Sequence, residues 1–162
     1  NKQAESQVRL WLSDNQVAVR YDDFETSSRL IEGKYPDYAQ IIPEKFKTSA
    51  GFPVGLMVNK IKTASLFTTT GVNAVSFDLN TSQGTISLSS TSTQTGEHSS
   101  EIETEVVGEE NSTLLNHRYV LEGLQNLNSE DAEMRVNSSD TPCLFKAKGK
   151  DDYVYVVMPI RQ

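Results

Sequence analysis

The most informative stretch of this chain is SRLIEGKYPDYAQIIP, residues 28–43. It opens at the end of a run in which apolar and polar residues alternate, the pattern of a β-strand. Gly33 and Pro36 then interrupt the alternation, since these two residue types commonly end regular structure. The segment from Tyr35 to Tyr38 predicts a turn and an extended aromatic piece. Taken alone, it could also be a turn that packs its aromatic rings on a core.

A second informative stretch closes the chain, YVVMPIRQ at residues 155–162. Its first residues predict a β-strand, in which alternate side chains face the interior. Pro159 ends that strand, and the residues after it are more apolar than expected for a frayed terminus. An apolar, proline-kinked tail of this kind indicates a surface that faces a partner.

The residues before the first stretch predict a three-stranded antiparallel meander. Strands are expected at 8–12, 17–21 and 24–31, with Asp-rich turns between them. Three strands without a covering helix bury little apolar surface. The chain therefore looks like a fragment that begins inside a domain.

The residues after the first stretch predict the same order of elements twice. The first half has an extended piece at 45–49, a helix at 53–66, and strands at 74–80, 85–90 and 101–107, with an exposed mobile loop at 91–100. The second half has a strand at 112–115, a helix at 116–127 that Asn116 caps, and strands at 133–137, 142–147 and 153–158. The predicted fold class is α+β, a duplicated βαβββ unit preceded by a partial β-meander.

Both stretches, with the helix block NHRYVL at residues 116–121, resemble the bacterial DNA polymerase III β subunit, the replicative sliding clamp. The resemblance covers the whole chain and implies a DNA-clamp fold. It assigns residues 1–32 to the last strands of the middle clamp domain, 33–43 to an interdomain linker and 44–162 to the C-terminal domain.

The resemblance also implies a cleft that captures partner peptides. Gln40 stands where the family often has an arginine, Val72 replaces a bulkier aromatic residue seen in some members, and residues 140–142 match a cleft edge. The middle-domain half of the cleft is expected to be missing, which would lower affinity. The implied cleft residues are Pro36, Gln40, Ile41, Val72, Asn116, Tyr119, Val156, Val157, Met158, Pro159, Ile160 and Arg161.

Two further surfaces follow from the resemblance. A head-to-tail ring interface would use Leu66, Phe67, Glu101, Glu103 and Glu105, and this chain alone could not complete the ring. Helix residues Lys60, Lys62 and Arg118 would face duplex DNA, although they could equally be ordinary solvated charges. The implied partners are duplex DNA, held topologically, and the DNA polymerase III alpha subunit, the clamp loader and other proteins with a clamp-binding motif.

Composition limits the other functions. The net charge of −7 argues against tight binding to phosphates. His98 and His117 with the single Cys143 give no zinc pattern, paired aspartates at 22–23 and 151–152 suit turns, and no nucleophile elbow occurs. We therefore expect a non-enzymatic protein without cofactor or metal, in the cytoplasm. A β-rich surface adhesion module is the alternative, but it does not explain the two equivalent helices.

Overall fold

The computed structural model describes residues 7–161, which form two compact units, the first ending at Asp37 and the second beginning at Tyr38. The first unit is an antiparallel meander of β1 (Val8–Leu12), β2 (Gln16–Tyr21) and β3 (Phe24–Arg29). Cross-strand partners such as Leu10 and Val19 give its sheet one apolar face. The predicted meander is confirmed, with its third strand ending two residues early because Leu30 bonds back to Asn15.

The second unit holds two helices and nine strands among the described residues. A short 3₁₀ helix (Tyr38–Gln40) precedes them. The elements of the first half are β4 (Thr48–Pro53), α1 (Val54–Ser65), β5 (Ala74–Asn80), β6 (Thr85–Ser92), β7 (Gly96–Glu103) and β8 (Val106–Gly108). Those of the second half are β9 (Asn111–Asn116), α2 (His117–Gln125), β10 (Asp131–Val136), β11 (Cys143–Ala147) and β12 (Val154–Val157).

The two halves exchange their first strands. A five-stranded antiparallel sheet has the order β12-β11-β10-β4-β8, and a four-stranded one has the order β7-β6-β5-β9. Strand β4 of the first half thus pairs with β10 of the second, with Thr48 opposite Val136. Strand β9 of the second half pairs with β5 of the first, with Val75 opposite Leu115. The predicted duplicated βαβββ order is confirmed, with the last predicted strand of the first half divided between β7 and β8.

Both helices bury one face against the sheets and contact each other. In α1 the buried side chains are Met57, Ile61 and Ala64, at the spacing of one helical face. In α2 they include Val120 and Leu124. Helix α1 contacts strands of both sheets, so the core lies between the two sheets and the helix pair. In the described chain, no helix is long and apolar enough to cross a membrane.

The prediction of a loop at 91–100 is wrong, although most of these residues are exposed as predicted. Strands β6 and β7 form a tight hairpin there, with the backbone amides of Gln94 and Thr95 donating to Ser92 Oγ and Gly96 at φ 92°. The hairpin is hard to recognise from composition, because a run of serine and threonine resembles a loop. Inside a sheet, however, their hydroxyl groups can find hydrogen-bond partners within the protein. Ser90 shows how: its buried hydroxyl donates to the Ala64 carbonyl at 2.8 Å.

Two other element boundaries also differ from the predictions. The first strand of the duplicated unit is shifted toward the C-terminus, to Thr48–Pro53, because it runs directly into α1. The strand predicted at 101–107 is divided after Glu103. There Thr104 donates its amide to the Gly84 carbonyl and its hydroxyl to the Gly51 carbonyl, so the chain passes from one sheet to the other.

Candidate peptide-binding site

The C-terminal tail joins the two sheets of the second unit. Strand β12 ends in the five-stranded sheet, and three residues later the Ile160 amide donates to the Leu114 carbonyl of β9 in the four-stranded sheet, at 2.8 Å. Alternation along the strand sends Val157 into the core, where it is 3% exposed, and leaves Met158 54% exposed. The tail therefore presents an apolar side chain to solvent while its backbone is held.

The start of α2 lies beside the strand that receives the tail. Asn116 ends β9 and caps the helix, its side-chain oxygen accepting from the Arg118 amide at 3.0 Å. The His117 amide donates to the Asn73 carbonyl at 2.9 Å, which holds the segment around Val72 next to the same helix end. Tyr119 in the first turn is 56% exposed and Val72 is 48% exposed. Two solvated apolar side chains thus flank the beginning of α2.

Tyr155 connects α2 with β12. Its ring packs directly against Gly123, which is buried in the helix. Burial of the phenol, together with the nearby Glu122 carboxylate, Tyr153 and Tyr119, raises the pKa of Tyr155. The hydroxyl is therefore un-ionised at neutral pH, and Tyr119 lies close enough to act on it.

A surface pocket of about 510 Å³ is lined in part by the tail residues Ile160 and Arg161. Hydroxyl groups dominate its lining, and Asp140 and Arg161 supply opposite charges. A hydrogen bond from Ser138 and the Asp140 backbone, outweighing its desolvation, with a smaller contribution from Arg161, lowers the pKa of the Asp140 carboxyl. The lining residues are Ser76, Ser112, Thr113, Leu114, Ser139, Asp140, Ile160 and Arg161.

Most of the cleft residues expected in this unit lie on elements in contact with one another. The tail, β9, the start of α2 and the segment before β5 carry Val72, Asn116, Tyr119, Val156, Met158, Pro159, Ile160 and Arg161. Val157 supports this group from the core. Gln40 ends the short 3₁₀ helix and Ile41 follows it, 45% exposed, while Pro36 belongs to the first unit. For all twelve expected residues, membership of a peptide-binding cleft stays a prediction.

Two features of this region were not predicted from the sequence. Three of the four hydroxyl groups that line the pocket come from β5 and β9, where serine and threonine resemble ordinary outward-facing strand residues. The contact between Gly123 and Tyr155 joins residues far apart in the chain. The only signal for it was a glycine in the middle of a helical pattern, which costs stability unless packing requires it.

The expected ring-interface residues lie around one edge of the four-stranded sheet. Leu66, just past α1, is 68% exposed, and the Phe67 ring stacks on His98 of β7 at 5.4 Å between centroids. His98 therefore lies in an edge strand and not in the predicted loop. Glu101 and Glu103 are exposed on β7, whereas Glu105 follows the strand end. Their role in a ring stays a prediction.

The residues expected to face DNA lie on the two helices that contact each other. Lys60 is half-buried and Lys62 exposed on α1, and Arg118 is exposed on α2. In the part of the chain covered by the structure, no three His, Cys, Asp or Glu side chains are grouped to hold a metal ion. Burial, partly offset by a hydrogen bond to Thr113, raises the pKa of the Cys143 thiol to about 11. That thiol is therefore protonated and inert at neutral pH.

Comparisons with known proteins agree with this architecture. Residues 39–161 match the family model of the DNA polymerase III beta subunit, C-terminal domain. The Beta sliding clamp of Synechocystis sp. is 29% identical over 154 residues, 95% of this chain and 39% of the relative. That of Staphylococcus aureus is 28% identical over 158 residues, 97% of this chain and 42% of the relative.

A solved structure shows the same fold. The DNA polymerase III beta subunit of Thermotoga maritima superposes with a TM-score of 0.85 at 27% identity, covering 96% of this chain and 42% of that one. This chain thus spans about two fifths of the length of its curated relatives. These relatives are named as clamps and not as enzymes. Because the family model covers most of the sequence and the fold agrees, the chain belongs to the DNA polymerase III beta subunit family, with residues 39–161 corresponding to its C-terminal domain.

Proposed function

We propose that the second unit docks short linear peptides of replication proteins at the start of α2 and the C-terminal tail. One observation carries the proposal: Tyr119, Met158 and Val72 are about half exposed on elements that hydrogen bonds and strand pairing hold together. Exposed apolar side chains gathered in this way are typical of protein-binding surfaces. Family membership supports the same role, since a processivity factor acts by tethering and not by chemistry.

The binding energy comes from apolar burial on a site that is already formed. An aliphatic or aromatic anchor of the peptide leaves water at a gain of about 25 cal/mol per Å² of buried apolar area. Met158 suits a site with several partners, because its thioether side chain adapts to different shapes. The partners in this proposal are the DNA polymerase III alpha subunit, the clamp loader and other proteins that carry a clamp-binding motif.

The proposal includes a role on DNA. A head-to-tail homodimer would enclose duplex DNA, so the clamp is retained topologically and needs few phosphate contacts. The net charge of −7 fits this arrangement, since strong sequence-independent binding requires clustered positive charge. Lys60, Lys62 and Arg118 on the paired helices would supply weak contacts with the phosphates.

Peptide binding by matched variants tests the docking site. The probe is a fluorescein-labelled pentapeptide that ends in leucine and phenylalanine, and the readout is fluorescence anisotropy with the 162-residue chain. Replacing Met158 or Tyr119 by alanine should weaken binding by roughly 1–3 kcal/mol, because hot-spot residues carry most of the energy of an interface. Leu56→Ala is the control, since Leu56 is exposed on α1 and lies outside the proposed site. Equal affinities for all three variants and the wild type would refute the proposal.

A further inference from the structure

We propose that Gly123 and Tyr155 are positioning residues that set the spacing between α2 and the C-terminal strand, and with it the shape of the peptide site. The inference rests on the proposed function, because it concerns the same site. Neither residue is assigned to the cleft itself. They act through the exposed side chains that their elements carry.

The contact between the two residues is too close for any side chain at position 123. A Cβ atom there would lie 2.3 Å from Cδ1, 2.6 Å from Cε1 and 2.7 Å from Cγ of Tyr155. Carbon atoms pack at about 3.5–4.0 Å, so every one of these distances is an overlap. The Tyr155 ring therefore lies directly on the helix backbone, and glycine is what allows α2 and β12 to approach so closely.

The ring has little freedom to avoid such an overlap. Tyr155 pairs through its backbone with Phe145 of β11, and the Tyr153 ring lies beside it at 6.5 Å between centroids and 11° between planes. Two residues along the strand, Val157 is fixed in the core. A side chain added at Gly123 must therefore displace the ring, the strand or the helix, since packed interiors transmit such changes.

The displacement would reach the proposed site directly. Tyr119 precedes Gly123 by four residues, which places both on one face of α2. Tyr155 lies in β12, the strand that its ring holds against the helix, and Met158 directly follows the last residue of that strand. The same contact thus fixes the helix that carries one exposed apolar side chain relative to the strand that leads directly into the other.

A substitution cycle on the 162-residue chain tests this role, with the same labelled pentapeptide and anisotropy readout. Gly123→Ala should raise the peptide Kd by about tenfold or more, because residues that pack together at a site share its binding energy. Tyr155→Phe keeps the ring and should bind like wild type. In the Tyr155→Ala background, Gly123→Ala should change the Kd by less than about twofold, since the overlap is gone. Gly55→Ala is the matched control, because a Cβ there meets nothing within 4 Å.

Stability measurements separate positioning from general damage. Near-UV circular dichroism and the melting temperature are recorded for each variant, and Ile86→Val, a change in the core strand β6, supplies a destabilised protein with an intact site. That variant should lose thermal stability and keep its affinity. Should Gly123→Ala fail to fold, Tyr155→Leu gives the same test, because it removes the ring contact without adding volume; it too should weaken binding.

Each alternative outcome has a definite meaning. Wild-type binding with an unchanged Kd for both Gly123→Ala and Tyr155→Leu overturns the positioning role and leaves the docking proposal standing. A persistent loss of affinity when Gly123→Ala is added to Tyr155→Ala shows that the ring does not transmit the effect and also overturns it. A wild-type chain that does not bind the peptide at all overturns the docking proposal, and the positioning role with it.

Discussion

His117 is a buried titratable side chain at the first position of α2, only 9% exposed. Among the described residues, its Nδ1 atom is one of the few buried polar atoms without a hydrogen-bond partner. Burial, and then the adjacent Arg118 guanidinium, lower the pKa of the imidazole from its ordinary value of 6.5. The folded protein therefore favours the neutral ring.

This shift predicts a loss of stability in acid. Because the folded pKa lies below 6.5, the unfolded chain takes up the proton first as the pH falls, and the free energy of unfolding decreases from about pH 6.5 down to the folded pKa. His117→Leu should remove this part of the pH dependence. Arg118→Gln should narrow the pH interval over which stability is lost. Melting temperatures across the series measure the effect. A wild-type protein that becomes more stable through this window would contradict it.

The Cys143 thiol gives a second prediction at a single residue. With a pKa of about 11 and no exposed surface, it should resist iodoacetamide in the native protein near neutral pH and react completely in urea. Mass spectrometry over time measures the labelling. Because its hydrogen bond to Thr113 lowers the pKa slightly, Thr113→Val should not make the native thiol faster to label. Rapid labelling of the native protein would contradict this prediction and show that β11 becomes accessible to solvent.

At the scale of single residues, the features that could be predicted from the sequence are those that depend on residues nearby in the chain. The Asn116 cap was predictable because its partner, the Arg118 amide, is two residues away. The alternation of Val157 and Met158 followed from strand geometry. The Tyr155 ring on Gly123 was not predictable, since it depends on how a helix and a strand from distant parts of the half pack together.

Strand β8 is joined to β4 through an unusually close backbone contact. Gly108 has φ 110°, and a Cβ on it would lie 1.8 Å from the Lys47 carbonyl oxygen. That oxygen also accepts from the Glu109 amide at 3.2 Å, so it cannot move freely. The edge of the five-stranded sheet therefore requires glycine for two reasons, the backbone angle and the space.

Two alanine variants separate these reasons. Gly96 also has a positive φ, 92°, but a Cβ there meets nothing within 4 Å. Gly96→Ala should cost about 1–2 kcal/mol of unfolding free energy, the backbone contribution alone. Gly108→Ala should cost about 1–3 kcal/mol more, because it adds overlap to the same strain. Urea unfolding measures both, and equal losses would show that the carbonyl contact is unimportant.

The elements themselves were predicted where periodicity is strong and missed where composition hides it. Both helices begin and end within two residues of their predicted boundaries, because their apolar residues recur at helical spacing. The hairpin at residues 92–96 was missed because a run of serine and threonine resembles a loop in hydropathy. The exchange of β4 and β9 between the sheets depends on pairing between strands far apart in the sequence, which the local hydrophobic pattern does not predict.

For the whole molecule, net charge and its placement govern binding to DNA. With a charge of −7, the chain should bind linear duplex DNA more weakly than about 10 µM at physiological salt. Residual binding at low salt should depend on the paired helices, and electrophoretic mobility shifts measure it. Replacing Lys60, Lys62 and Arg118 by glutamate should abolish that residual binding.

A matched charge reversal isolates position from net charge. Replacing Lys45, Lys148 and Lys150 by glutamate changes the net charge by the same amount. These three residues are exposed and lie outside the helices. This variant should retain more of the low-salt binding than the helix variant, because only the helices are proposed to face the duplex. Equal losses would assign the binding to overall charge, and tight salt-resistant binding by the wild type would contradict retention by enclosure.

The exchange of first strands between the two halves determines how the second unit assembles. Because β4 of the first half pairs with β10 of the second, and β9 of the second half pairs with β5 of the first, each sheet contains strands of both halves. Pairs such as Thr48 with Val136 close only after most of the chain is present. Such distant pairings make folding slow and cooperative. The second unit should therefore refold slowly and in one step. Its two internal repeats have the same order of elements, but neither should fold as a separate domain.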